Sequence, residues 1–446
     1  MKYKFTTILL GCFFSTQLFS IVPNQLLTRG VVAKTSDGDN SYITDGQLTG
    51  WKNSKAKDIA IQIYNPVDTL LITWESMGDF AWATDFTSGC SHSGTPLKNF
   101  KILTSANSTD GKDGDWEEVA VVVNNPVMSR ALSIPFSGKS WFRFVSDESV
   151  GEILEIEAFD ISNGGNDTWF FMGTSISQMG MKQQDTDTTV ADLIHARFPN
   201  YTPAMLRGGI GCINSTEVVA RLSDYLKYAG NVKYWAIEMG TNDAWGGGDW
   251  NAETFRKNMQ TIIDSAQARG ITPVLVRIIA TDPDKAGWQV NPKFLQIIDD
   301  LTDKNSLPQG PDFYSYFESH PELLGSDGVH PNGSAGGGQA MHHLWAEALA
   351  PLYEQSGSTG ENDVNINQLP KIRIEGKNIF LSDNIDKDCL LEIISMNGAV
   401  LESCRVEERE NVITTNLVGG NYILVLKTPE KAFNTKIFLP FDWTFF

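Results

Sequence analysis

The sequence predicts a multidomain fold in which a central α/β block, built on a parallel sheet, lies between two blocks of β structure. Short apolar runs between clusters of Gly, Asn, Asp and Pro fill residues 28–162, and a similar rhythm returns in residues 361–446. Between them, residues 168–355 alternate strand-like and helix-like segments. A chain of 446 residues with 41% hydrophobic side chains is long enough to build several cores.

In the first block, strand-like runs at residues 58–64, 69–73 and 119–123 favour an antiparallel sandwich. Residues 163–167 (NGGND) then read as a turn or linker.

In the central block, buried strands are predicted at residues 168–172, 234–239 and 272–279. Helices are predicted at residues 188–198, 218–228, 252–269, 292–301 and 335–353. Repeated strand–helix units of this kind indicate a parallel sheet with helices on both faces. A flexible joint is predicted at residues 356–360 (SGSTG), before the short strands and turns of the last block.

Residues 1–20 have the pattern of a signal peptide: Lys2 and Lys4 precede an apolar stretch, and residues 18–20 (LFS) offer a cleavage site. The stretch is too short to span a bilayer, and no later one reaches the ~20 apolar residues that a span needs. A lipoprotein-like box ends at Cys12, although apolar residues continue where a lipidated chain usually turns polar. We therefore expect an exported protein, secreted or at the cell surface, without a membrane span.

The net charge restricts the partners that the protein can bind. With 35 basic and 54 acidic residues, the formal charge of −19 repels polyanions, so nucleic acid and anionic membranes are poor partners.

Beyond the leader, the cysteines Cys90, Cys212, Cys389 and Cys404 are too few for a disulfide framework. Cys389 and Cys404 could link one hairpin, and free buried thiols are an equal alternative. No C-x-x-C pair is present, so the commonest zinc and redox signatures are missing.

Three polar segments stand where strands of the central block should end or just before its last helix: residues 173–177 (GTSIS), 240–243 (GTND) and 327–331 (DGVHP). Ligands of open α/β sheets bind beyond the carboxyl ends of the strands, so we expect the three segments to meet at one rim.

The side chains of these segments have complementary chemistry. The hydroxyl of Ser175 becomes a nucleophile when an imidazole accepts its proton, and His330 can do this if a carboxylate holds its other ring nitrogen. Asp327 stands three residues before His330, on a turn that contains a glycine. The amide of Asn242 can donate to the oxyanion of a tetrahedral intermediate. Neither a metal ion nor a cofactor is needed for this chemistry.

Together the three segments resemble the SGNH hydrolase (GDSL esterase/lipase) superfamily, which has a flavodoxin-like α/β/α fold. The resemblance covers residues 168–355. It implies that Ser175 is the nucleophile, Asp327 the acid and His330 the base, and that Asn242 and the Ser175 backbone N–H donate to the oxyanion.

The sequence departs from the superfamily pattern at two places. Thr174 replaces the usual aspartate before the serine, which affects the support of the nucleophile turn. The segment that should supply a glycine donor, residues 207–215, contains several candidates. We select Gly211, with Cys212 and Gly209 as alternatives, because a backbone N–H serves at any of them.

Two features beside the segment at residues 240–243 allow more than one interpretation. Glu238 precedes it inside a predicted strand, where we interpret the carboxylate as salt-bridged or solvated. Trp245 and Trp250 follow it, with three glycines between them. Their indoles suit stacking on sugar faces, and anchoring of the loop to the core is an equal alternative.

Both flanking blocks resemble known domains. Residues 28–162 resemble a galactose-binding-like jelly roll through DG at 45–46 with Trp51, FKILTS at 100–105 with Trp116, WFRF at 141–144 and ILEIEAF at 153–159. Such a domain either binds glycan or supports the catalytic rim. Residues 361–446 resemble the sorting domain of type IX secretion substrates through LEIISMNGAV at 391–400, GGNYILVL at 419–426 and KIF at 436–438. That resemblance implies recognition by the secretion machinery, and a small accessory sandwich is the alternative.

These observations predict an exported serine esterase (a carboxylic ester hydrolase) that removes O-acyl groups, O-acetyl above all, from a polysaccharide such as xylan or pectin. Two alternatives remain open: a lipase or thioesterase of the same fold, and a non-catalytic carbohydrate-binding surface protein.

Overall fold

The computed structural model describes most of the chain from residue 21 onward. The described residues are 21–48, 54–55, 57–78, 81–86, 88–90, 94–146, 152–181, 188–359, 372–375, 378–381, 389–395, 400–406, 412–417, 420–427 and 432–439. The predicted signal peptide with Cys12 lies outside them, as do Trp51 and residues 396–399 of the segment that resembles a sorting domain. The chain divides into two compact units, one ending at Ser358 and one beginning at Thr359, and each is described by itself.

The first unit begins with antiparallel β structure. Its strands are β1 Gln25–Leu26, β2 Ala33–Thr35, β3 Gly38–Asn40, β4 Asp58–Gln62, β5 Thr69–Ser76, β6 Phe100–Ser105, β7 Glu117–Val122, β8 Ser129–Pro135, β9 Trp141–Val145 and β10 Ile153–Asp160. One sheet has the order β1-β10-β5-β8 and the other β3-β2-β4-β9-β6-β7. A short 3-10 helix, Tyr42–Thr44, lies between β3 and β4. The two sheets enclose one core, in which Trp74 of β5 lies against Phe100 of β6 and Phe144 of β9. The structure thus contains the predicted sandwich, while the galactose-binding-like assignment stays a prediction.

The central part of the first unit is an α/β layer structure. Its strands are β11 Thr168–Gly173, β12 Ala204–Gly209, β13 Tyr234–Glu238, β14 Thr272–Arg277 and β15 Gln309–Asp312. Its helices are α1 Ser175–Gly180, α2 Val190–Arg197, α3 Ser215–Ala220, α4 Leu222–Tyr228, α5 Ala252–Gln267, α6 Pro283–Ala286, α7 Pro292–Lys304, α8 Phe313–Ser319 and α9 Gly337–Thr359. The strand order is β12-β11-β13-β14-β15 and every pairing is parallel, which confirms the predicted sheet.

Helices cover both faces of this sheet because its strands are apolar on both sides. In β11, Phe170 and Met172 belong to one hydrophobic core and Trp169 and Phe171 to the other. The first core also takes side chains from α5 and α7, for example Phe255 and Phe294, and the second takes them from α2, α8 and α9. The parallel strands therefore end at a single edge, where the loops that follow them gather.

The structure differs from the sequence predictions in several details, among them strand β15, which had no prediction. Residues 204–209 form strand β12, which had no strand prediction because its end is glycine-rich. The helix predicted over 218–228 is two helices that meet at Arg221. Helix α9 continues through Thr359, so most of the joint predicted at residues 356–360 is the last turn of a helix.

The sandwich and the central sheet share several contacts within the first unit. Glu75 of β5 forms a buried ion pair with Arg207 of β12, at 3.0 Å. Cys90 and Cys212 form a disulfide that joins residues 122 apart in sequence, a pairing that the sequence pattern does not predict. Trp82 stacks on Tyr225 of α4, with ring centroids 4.6 Å apart.

The second unit is built of short antiparallel strands. These are β16 Ile372–Glu375, β17 Asn378–Leu381, β18 Cys389–Ser395, β19 Val400–Val406, β20 Val412–Thr414, β21 Gly420–Lys427 and β22 Ala432–Leu439. They form sheets of order β16-β17-β20 and β19-β18-β21-β22. Cys404 lies opposite Leu391, two residues from Cys389, and the proposed link between the two cysteines stays a prediction. The sorting role of this unit also stays a prediction.

No helix of the described part of the chain combines the length and the apolar character that crossing a bilayer requires.

Candidate active site

Ser175 is the first residue of α1 and follows β11 by two positions. The side chain of Thr174 caps this helix by accepting a hydrogen bond from the backbone N–H of Ile176, at 3.2 Å. The tight turn from strand to helix leaves the Ser175 side chain at the carboxyl edge of the sheet.

His330 and Asp327 approach Ser175 from a loop that precedes α9. Nε2 of His330 lies 2.8 Å from the Ser175 hydroxyl, and its Nδ1 lies 2.6 Å from Oδ2 of Asp327. Ser175 and His330 are 155 residues apart in sequence. A neutral imidazole with its hydrogen on Nδ1 satisfies both contacts, because Nδ1 then donates to Asp327 and Nε2 accepts from Ser175. The structure brings the three predicted residues together, and their catalytic roles stay predictions.

A tight turn holds the carboxylate of Asp327. Its Oδ1 accepts hydrogen bonds from the backbone N–H groups of Val329 and His330, at 3.0 and 3.1 Å. Partial burial acts to raise the pKa of Asp327, but the hydrogen bonds from Val329 and His330 outweigh it and lower that pKa. Gly328 allows the turn, because its φ of +68° lies in the left-handed region and a Cβ there would stand 2.8 Å from the carbonyl oxygen of Asp282.

Glu238, at the end of β13, supports the nucleophile turn from below. One carboxylate oxygen accepts hydrogen bonds from the backbone N–H and hydroxyl of Thr174, at 3.0 and 2.9 Å. The same oxygen accepts from the backbone N–H and hydroxyl of Ser177, at 3.3 and 3.2 Å. Ser175 stands between these two residues, so the carboxylate fixes the backbone on both sides of the nucleophile.

The environment of Glu238 corrects its interpretation as a salt-bridged or solvated residue. The residue is 1% exposed and its partners are neutral hydroxyls and amides. Its other oxygen, Oε1, has no hydrogen-bond partner among the described residues. Burial raises the pKa of Glu238 to about 7, against the opposing effect of the hydrogen bonds from Thr174 and Ser177. This carboxylate supplies support at the place where Thr174 replaces the aspartate of the superfamily pattern.

Asn242 and Asp243 hold the loop that follows β12. Nδ2 of Asn242 donates to the carbonyl oxygen of Ile213, at 2.8 Å. The carboxylate of Asp243 accepts from the backbone N–H and the hydroxyl of Ser215, the first residue of α3. One amide hydrogen of Asn242 is thereby fixed, which sets the plane of the amide and the direction of its second hydrogen.

Gly211 lies in this same loop, in the turn after β12. Its carbonyl oxygen accepts a hydrogen bond from the hydroxyl of Ser88, at 2.9 Å. The next residue, Cys212, has φ of +62° and is bonded to Cys90. Gly209, the alternative donor, is the last residue of β12 and pairs with Gly173 of β11. Gly211 thus stays the predicted donor, in a loop held by both the sandwich and Asn242.

No set of three or more histidine, cysteine, aspartate or glutamate side chains suited to holding a metal ion occurs in the described ranges.

No family model matches the chain, and no curated protein matches it. Among solved structures, a lipase/acylhydrolase from Enterococcus faecalis is 18% identical with a TM-score of 0.34, and the match covers 43% of this chain and 96% of that one. An α/β hydrolase enzyme from the metagenome of Lake Arreo, Spain, is 16% identical with a TM-score of 0.33 and coverages of 42% and 95%. An acetylxylan esterase from Geobacillus stearothermophilus is 14% identical with a TM-score of 0.32 and coverages of 42% and 93%. The chemistry assigned to this chain therefore rests on its own geometry.

Proposed function

We propose that this protein is a serine esterase that hydrolyses O-acyl esters, chiefly O-acetyl, on a polysaccharide such as xylan or pectin. The observation that carries the proposal is the continuous hydrogen-bond chain from the Ser175 hydroxyl through His330 to Asp327. Two segments, one with Ser175 and the other with Asp327 and His330, form it at the edge of a parallel sheet, the place where ligands bind in such folds.

The reaction follows from this geometry. The Ser175 oxygen attacks the ester carbonyl carbon while Nε2 of His330 takes the hydroxyl proton, and Asp327 stabilises the resulting imidazolium. The oxyanion receives hydrogen bonds from the Ser175 backbone N–H, the Asn242 amide and the predicted donor Gly211. Collapse of the intermediate breaks the ester C–O bond, and His330 returns its proton to the leaving alkoxide. Water then hydrolyses the acyl-enzyme by the same steps and releases the carboxylic acid.

The size of the acyl group and the nature of the alcohol are parts of the proposal. The catalytic edge is open, with the imidazole of His330 23% exposed and the carboxylate of Asp327 51% exposed, which suits a small acyl group on a large alcohol better than a long acyl chain. Export through the predicted leader and sorting domain would bring such an enzyme to a polysaccharide outside the cell.

The experiment compares wild type, Ser175→Ala and Ser334→Ala with p-nitrophenyl acetate. Ser334 is an exposed serine in a 3-10 turn of the same loop, and it serves as the matched control. We expect Ser175→Ala to lose about 10³-fold or more in kcat and Ser334→Ala to keep wild-type activity. Full activity of Ser175→Ala would contradict the mechanism. An octanoyl ester hydrolysed faster than the acetyl ester would favour a lipase, and absence of turnover would favour a non-catalytic binding protein.

A further inference from the structure

Beside the catalytic residues, two large aromatic side chains face solvent. Trp245 is 50% exposed and Trp250 is 67% exposed. Aromatic side chains of this size bury a large apolar area when they contact a partner, so two open indoles on one loop represent unused binding surface. Their exposure argues against the alternative in which both tryptophans serve only to anchor the loop to the core.

Neighbouring residues of the same chain support both indoles. The ring of Trp245 lies 5.2 Å from that of Trp288, tilted by 49°, and Trp288 is partly buried against both hydrophobic cores of the central layer. The ring of Trp250 rests on the backbone of Gly248, where a Cβ would collide with it. We call the set of Trp245, Trp250 and Trp288 the aromatic ledge. Because its rings are supported by packing, binding there orders few side chains.

The ledge lies at the same edge of the sheet as the catalytic residues. Trp245 and Trp250 stand in the loop after β13, a few residues beyond Asn242, and Trp288 stands in the loop after β14. The second loop also contains α6, which touches the catalytic turn: the backbone N–H of Asp282, which caps α6, donates to the carbonyl oxygen of Gly328 at 2.8 Å. The ledge is therefore continuous with the segments that hold both Asn242 and Asp327.

We propose that the aromatic ledge binds a pyranose ring of the acylated polysaccharide and so positions its ester at Ser175. This inference rests on the proposed esterase function and names the residues that recognise the sugar. The C–H face of a pyranose is flat and apolar and its rim is polar, which matches an indole bordered by polar groups. Charged groups follow the ledge along the chain: Asp249 directly precedes Trp250, and the Lys293 ammonium lies 3.9 Å from Asp249 and 3.2 Å from Glu253.

The form of the ledge favours a sugar over a long acyl chain. A long acyl chain is bound best where apolar walls enclose it, since its binding energy comes from the apolar area removed from water. Here the indoles of Trp245 and Trp250 are half or more exposed, and charged side chains lie beside them. The chain's charge of −19 also opposes docking of an anionic lipid surface or a nucleic acid at this place.

The test uses the full chain with Trp245→Ala, Trp250→Ala and the control Tyr64→Ala, an aromatic residue of the sandwich that is 72% exposed. Acetate release is measured on acetylated xylan, pectin and mannan and their oligosaccharides, and activity is measured in parallel on p-nitrophenyl acetate. On the preferred glycan we expect each tryptophan variant to lose about tenfold or more in kcat/KM, mainly through KM. On p-nitrophenyl acetate, which has no pyranose, the same variants should stay within about twofold of wild type.

Each outcome separates the two proposals. If wild type hydrolyses neither class of substrate, the esterase function fails. If it hydrolyses p-nitrophenyl acetate but deacetylates no glycan, or if the tryptophan variants keep wild-type kcat/KM on the preferred glycan, the esterase function stands and the ledge proposal is overturned. Equal losses on both substrates would also overturn the ledge proposal, because they would show that the indoles support the site itself. Unchanged behaviour of Tyr64→Ala confirms that the effect is local.

Discussion

Replacement of Glu238 tests how the nucleophile turn is held. Glu238→Ala removes the oxygen that accepts from both sides of Ser175 and leaves the backbone N–H groups of Thr174 and Ser177 without this acceptor. A buried donor left unsatisfied costs about 1–3 kcal/mol, so the two backbone groups alone should cost about 2–6 kcal/mol of unfolding free energy. The hydroxyls of the same residues can rotate to other acceptors. A turn that relaxes in this way should also misplace the nucleophile and lower kcat by about 10²-fold.

Glu238→Gln separates the support that the side chain gives from its charge. The glutamine keeps an oxygen that can accept from the turn, so we expect kcat within about threefold of wild type. It cannot ionise, whereas burial raises the pKa of Glu238 to about 7. A carboxyl whose pKa is higher in the folded than in the unfolded chain contributes stability fully below the unfolded value, and loses it as the pH rises through the folded value. For a rise from 4.5 to about 7 that contribution is about 3 kcal/mol.

The assay is urea unfolding of wild type and both variants at pH 4.5 and pH 8, with kcat and KM for p-nitrophenyl acetate measured on the same preparations. Relative to Glu238→Gln, wild type should lose about 3 kcal/mol of unfolding free energy between the two pH values. A constant difference across that range would refute the argument from burial. Wild-type kcat in Glu238→Ala would refute the positioning role, and a Glu238→Gln variant as slow as Glu238→Ala would show that the charge itself is required.

Three further predictions concern other contacts of the first unit. Asp327→Asn should lower kcat on p-nitrophenyl acetate by about 10²–10⁴-fold and leave KM little changed, as measured by steady-state kinetics. The reason is that the imidazole of His330 loses the carboxylate that orients it and stabilises its charge. Joint replacement of Cys90 and Cys212 by alanine should lower the unfolding free energy by about 2–4 kcal/mol, since the bond closes a long loop, as measured by unfolding under non-reducing conditions. It should also lower kcat, because the loop that contains the predicted oxyanion donor loses this link, and steady-state kinetics check this. Glu75→Ala should destabilise the protein by about 3–5 kcal/mol because it leaves Arg207 charged, buried and unpaired, as measured by urea unfolding.

The sequence predicted those parts of the fold that depend on local patterning. The apolar runs of β11, β13 and β14 and the helical spacing of α5 and α7 mark their elements directly. The segments that contain Ser175 and Asn242 both follow parallel strands, and these strands end at one edge of the sheet. Strand β12 was not predicted because it ends in two glycines, and a glycine pair in a sequence usually indicates a turn.

The role of Glu238 could not be read from its own segment. A charged residue in a strand is usually paired or solvated, and only the register of β13 against β11, which places Glu238 beside Gly173, shows that it faces the nucleophile turn. A usable signal was present nonetheless. Glu238 lies in an otherwise apolar strand buried on both faces, and a carboxylate there requires hydrogen-bond donors from a neighbouring element. The pairing of Cys90 with Cys212 lacked any such signal, because it depends on how the sandwich packs on the central layer.

These contacts bear on the purpose of the sandwich, for which glycan binding and support of the catalytic rim were equal alternatives. The hydroxyl of Ser88 binds the carbonyl oxygen of Gly211, and the disulfide fixes the residue that follows. From the opposite side, Asn242 binds the carbonyl oxygen of Ile213 in the same loop. A backbone donor stabilises an oxyanion only if it is held in place before the charge develops, so a loop tied from two sides is what the proposed reaction requires. We therefore propose that the sandwich supports the rim, with the aromatic ledge as the proposed site of sugar recognition.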